Sequence, residues 1–91
     1  MRSQLLAARA AALFASDLPT GSRPATPIVN AAIAASVHAF GGTRGCVAMM
    51  AACYGDYPET AAPRMRWALS LVSTTAATAR PPEPDRELVA A

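Results

Sequence analysis

Apolar residues recur at helical spacing in four stretches of the chain, and turn-forming residues separate those stretches. In the first, Leu6, Ala10, Leu13 and Phe14 share a stripe from which Arg2, Gln4 and Arg9 are absent, which predicts a helix over Ser3–Ser16 closed by Asp17, Leu18 and Pro19. A loop follows, because residues 19–27 hold three prolines, Gly21 and small polar residues. Thr26 before Pro27 then reads as a hydroxyl cap followed by a proline whose missing N–H costs nothing in the first turn. The helix it opens places Val29, Ile33, Val37 and Phe40 on one stripe and stops at Gly41-Gly42.

Thr43 is the expected cap of a third helix over Arg44–Tyr54, with Val47, Met50, Ala51 and Tyr54 inward and Gly55 ending it. Asp56 and Glu59 have the spacing of a capping box for a fourth helix, which continues through Met65, Ala68, Leu69 and Val72. Pro63 removes one of its hydrogen bonds and is expected to kink or divide it. The pattern predicts an all-α fold: a small bundle of about four helices in a single domain over residues 1–79. Residues 80–91 pack three prolines and five charges into a short space, the composition of a disordered tail.

From Pro24 to Gly55 the only formal charge is Arg44. A surface helix ordinarily carries a charged outer face, so this stretch is either the buried centre of the fold or a surface that meets another protein. Alanine supplies 23 of the 91 residues, and its methyl group buries little area, so a core built from this chain is thin. Self-association would let it bury more. The candidate contact residues are Ala31, Ala34, Ala35 and His38 on the small, uncharged side of the second helix, with the adaptable Met49 on the third.

The net charge of +2 is too small to imply a nucleic-acid partner by itself. Arg9 interrupts the one segment that resembles a secretion signal, and no run has the apolar length of a membrane span, so a cytoplasmic protein is expected. Cys46 and Cys53 lie seven residues apart, about 10.5 Å along a helix, too far for a disulfide or a shared metal ion. Both are expected to be buried structural thiols. His38 has no catalytic partner in sequence and reads as a helix-end residue. No nucleophile elbow, phosphate-binding glycine loop or paired carboxylate stands in the chain. The expectation is therefore a non-enzyme with no catalytic residue, cofactor, metal or evident small-molecule substrate.

The segment from Val47 to Trp67 resembles a helix-turn-helix unit, with Met50, Ala51 and Tyr54 inward, Gly55 in the turn and a second helix after it. That resemblance implies a DNA contact through Arg44, Thr60, Arg64 and Arg66. Asp56, Arg64 and Pro63 depart from the pattern, two by putting charge where an apolar residue is usual and one by interrupting the second helix. Tyr54-Gly-Asp-Tyr-Pro-Glu-Thr-Ala with Arg64-Met-Arg-Trp-Ala is also similar to a segment of short uncharacterised actinobacterial helical proteins, and that similarity implies a bacterial origin without an activity. Two functions follow. The first is a small accessory or regulatory protein that binds itself or another protein. The second is a DNA-binding transcriptional regulator.

Overall fold

The computed structural model describes the backbone of residues 2–79 and the side chains of residues 4–75. Four helices follow one another: α1 (Arg2–Phe14), α2 (Thr26–Ala39), α3 (Thr43–Asp56) and α4 (Pro58–Ala79). The all-α bundle is as the periodicity predicts. The expected tail over residues 80–91 lies outside the described residues.

Every helix touches the other three, and the three most extensive of these contacts are those of α1. Its five consecutive residues Ala10 to Phe14 are buried, which a helix packed on one side only could not achieve. Around them lie Val29 and Ile33 of α2, Cys46 of α3, and Trp67, Ala68, Leu71 and Val72 of α4. Three of α1's buried residues are alanines, which lets neighbouring helices come close to its axis, while Leu13, Val29 and Val72 are the largest fully buried side chains.

The α2–α3 connection follows its sequence signal closely. Gly41 and Gly42 take positive φ values of 76° and 113°. Gly42 N–H donates to Val37 C=O at 2.7 Å and Gly41 N–H to His38 C=O at 3.4 Å, the paired bonds of a Schellman ending. The chain then doubles back so tightly that a Cβ on Gly45 would collide with the Phe40 carbonyl.

Several local expectations are corrected. Thr26 and Thr43 are the first helical residues of α2 and α3; the caps are Ala25 and Gly42, and neither helix has a side-chain cap. Gly55 lies inside α3, which continues to Asp56, so Asp56 has helical backbone and does not cap α4. The chain turns instead at Tyr57, with φ −138° and ψ 64°. Pro63 neither divides nor ends α4. The carbonyl it leaves without a donor belongs to Glu59, an exposed first-turn residue that water can serve. On α3 the inward positions are Cys46, Met50 and Cys53, while Val47, Ala51 and Tyr54 are exposed. On α4, Leu71 takes the core place expected of Leu69, which is exposed.

Candidate interaction surface

α1 has no basic residue in its last turn, and the residues just after it, Ala15 to Leu18, include neither a glycine nor a basic residue to close the helix. Ser16 turns its hydroxyl back to Leu13 C=O at 2.6 Å, and α4 serves the Phe14 carbonyl and others just beyond the helix end. Arg64 donates from Nε to Phe14 C=O at 2.8 Å and from Nη2 to Ser16 C=O at 2.8 Å. From Nη1 it donates to Leu18 C=O at 2.8 Å and Thr20 Oγ1 at 2.9 Å. Its guanidinium carbon sits 4.8 Å from the Trp67 ring centre and 5.6 Å from that of Phe14. A cation is thus placed on the negative end of α1 by a residue fifty positions away. Burial pulls this guanidinium below its ordinary pKa, and the charge of Cys53 acts in the opposite direction. Trp67 adds a further tie, donating from Nε1 to Ser22 C=O at 2.8 Å.

The residues singled out for nucleic acid therefore differ in their surroundings. Arg44 and Arg66 are exposed, and Thr60 is exposed with its hydroxyl bonded to Tyr57 C=O at 3.2 Å. Arg64 is spent on the α1 loop. That commitment could not be read from the local sequence, because every acceptor lies more than forty residues away.

The charge-poor stretch turns out to be largely surface. α2 buries Val29, Ile33 and Ser36, and α3 buries Cys46. Outward lie Ala31, Ala34, Ala35 and His38 on α2 and Ala48, Met49, Ala51 and Ala52 on α3. Larger apolar groups accompany them: Ile28 is 52% exposed, Val47 41% and Met49 38%. Ala31, Ala35 and His38 fall along one line of α2, and Ala34 lies beside them. Met49 is on the neighbouring helix.

Beside that line is a groove of about 330 Å³, formed where the loop after α1 runs past α2. Its walls are mainly Ala15, Leu18, Ala32, Ala35, Ala39 and Phe40, and Asp17 is the one charged residue lining it. No local sequence pattern signals this groove, because one wall is made by residues 15–18 and the other by residues 32–40.

Cys46 is fully buried, and burial raises its thiol above the ordinary value of 9.0. Cys53 is half-buried, and both cysteines are free thiols. Among the described residues no cluster of three or more His, Cys, Asp or Glu could hold a metal ion. Nor is any described helix long and apolar enough to cross a membrane. No protein family, curated protein or solved structure matches this chain.

Proposed function

We propose that this chain is a small non-catalytic accessory or regulatory protein that works by association with itself or with another protein. Its contact face comprises Ala31, Ala34, Ala35 and His38 of α2, joined by Met49 of α3. The supporting observation is that the charge-poor stretch spends few residues on the core and leaves its alanines, Ile28, Val47 and Met49 facing outward. Depletion of charge is what marks the centre of protein interfaces. Alanine loses no side-chain freedom on burial, so the face is covered at low entropic cost.

Sedimentation velocity over a wide concentration range tests this reading. The wild type is expected to associate as its concentration rises, and glutamate at Ala34 or Ala35 to weaken that association while far-ultraviolet circular dichroism stays unchanged. A wild type that remains monomeric and binds duplex DNA with an affinity falling steeply with salt would instead favour the regulator reading. That reading would rest on Arg44, Thr60 and Arg66, with Arg64 already engaged at the end of α1.

A further inference from the structure

One wall of the groove beside α2 is fixed from behind. Ser16 N–H donates to Leu13 C=O at 3.1 Å, and the Ser16 hydroxyl donates to the same carbonyl. Leu18 N–H donates to Ser16 Oγ at 3.3 Å, and the carbonyls of Ser16 and Leu18 each accept from Arg64 at 2.8 Å. The polar groups of these two residues are thus committed inside the protein, and the wall they form is ordered before anything binds to it. A site ordered in advance loses less freedom on binding.

Two polar side chains on the groove are left over. Ser36 is 4% exposed, yet its hydroxyl makes no hydrogen bond, not even the return bond to the carbonyl four residues back that helical serines often form. Among the described residues no fully buried side-chain oxygen or nitrogen lacks a partner, so this oxygen is reached from outside, and Ser36 lines the groove. Asp17 is the one charged residue on the groove, and its carboxylate has neither a hydrogen bond nor an ion pair among the described residues. The remaining walls are mainly alanine, Leu18 and Phe40.

We propose that this groove is a binding site for a small aliphatic ammonium compound, with its chain along the apolar walls and its head at Asp17 and Ser36. At about 330 Å³ the groove is at the small end of ligand sites, which suits a short chain. A primary ammonium group has three donors and no acceptor, and it matches two free groups that both accept hydrogen bonds. It also supplies the partner that the Ser36 hydroxyl lacks, and leaving a buried hydroxyl unpaired is costly. An alcohol head leaves the Asp17 charge unused, and a carboxylate head is repelled by it. Arg64 lies behind the loop wall with its donors turned to the carbonyls, so it tempers the attraction without pairing with Asp17. The inference goes beyond the association reading above and does not depend on it.

Titration of the full-length chain with hexylammonium, hexanol and hexanoate at constant pH and ionic strength, followed by amide NMR, tests it. Hexylammonium is expected to give saturable shifts in both walls, residues 15–18 and 32–40, with a dissociation constant of roughly millimolar order. It should bind about two- to fivefold more tightly than hexanol, as an exposed ion pair allows, and hexanoate should bind least. Asp17→Asn, at an exposed and unpaired position, should erase the preference for the amine while hexanol still binds. Ala39→Phe, which fills the groove from an exposed position, should abolish binding of all three.

Ser36→Ala gives two readouts of opposite sign. It should raise Tm, because it removes an unpaired hydroxyl from a helix, and it should weaken hexylammonium binding. The absence of saturable shifts in the two walls, hexanoate binding as tightly as hexylammonium, or a preference for the amine that survives Asp17→Asn would each overturn the site. A lower Tm for Ser36→Ala would show that its hydroxyl already has a partner in the protein and would overturn the placement of the head group.

Discussion

Replacing Arg64 by lysine isolates the geometry of its contacts from its charge. The guanidinium reaches four acceptors at 2.8–2.9 Å through three separate nitrogens. An ammonium group keeps the charge but radiates its donors from one atom, and it cannot span Phe14 C=O and Leu18 C=O together. Two of the four hydrogen bonds are lost on that account. A bond from a charged donor contributes about 1.5–3 kcal/mol when well buried. These acceptors are part-buried or exposed, and water recovers part of the loss, so about 1 kcal/mol for each bond is the appropriate figure. Loss of the planar stack on Trp67 and Phe14 removes about another 0.5–1 kcal/mol. The sum is about 2.5–3 kcal/mol, a large part of the stability of a domain this size. In a thermal melt followed by circular dichroism, Arg64→Lys is expected to lower Tm by about 10–20 °C. The exposed Arg66→Lys, in parallel, should change stability by no more than about 0.5 kcal/mol. An Arg64→Lys protein that melts within about 2 °C of the wild type would show that this bond network contributes nothing beyond its charge.

Gly45 and Gly55 are both helical glycines, and alanine should act on them with opposite sign. Gly55 has open space around it, so Gly55→Ala is expected to raise stability by about 0.5–1 kcal/mol; Gly45→Ala pushes a methyl into the Phe40 carbonyl and is expected to lower it, both read from denaturant titrations. In the native protein a thiol reagent should modify Cys53 before Cys46, with both reacting after unfolding and no intramolecular disulfide forming; rapid native labelling of Cys46 would contradict its burial. Because burial raises the folded-state pKa of Cys46, the folded chain holds that proton more tightly than the unfolded one. Its contribution is therefore complete below about pH 9 and is lost as pH rises towards the folded value, so Cys46→Ala should show a shallower alkaline decline in melting temperature.

Where one residue determines a local geometry, the sequence is easily read. Pro27 and the Gly41-Gly42 pair fixed α2 to within a residue, because a ring-locked φ and two positive φ values leave few alternatives. Helix faces were less legible. Ranking residues by apolar size favoured Val47 and Tyr54 over Cys46 and Cys53, yet α1 meets the cysteine side of α3, and cysteine is readily buried. Tyr54 still finds a partner at the margin, stacking on Phe14 with ring centres 6.2 Å apart. The central place of α1 was not visible either, since Ala10, Ala11 and Ala12 look the same in sequence whether they face solvent or three other helices. The candidate surface was half legible. Its shortage of charge is written in the sequence, but only the fold decides that it faces outward, and the groove and the role of Arg64 depend on contacts between distant segments.

Trp67 is the only tryptophan in the chain, and its indole N–H is bonded to the loop that Arg64 also holds. The protein thus contains its own fluorescent probe at a single, known seam. If residues 15–25 detach while the bundle stays intact, the indole loses its carbonyl partner and gains water, and its emission moves to longer wavelength before the helical signal falls. Coincident transitions would show instead that the irregular segment and the helices open as one cooperative unit. Either way, a loop without regular structure can be followed without adding a label to a chain whose small, alanine-lined interior has little room for one.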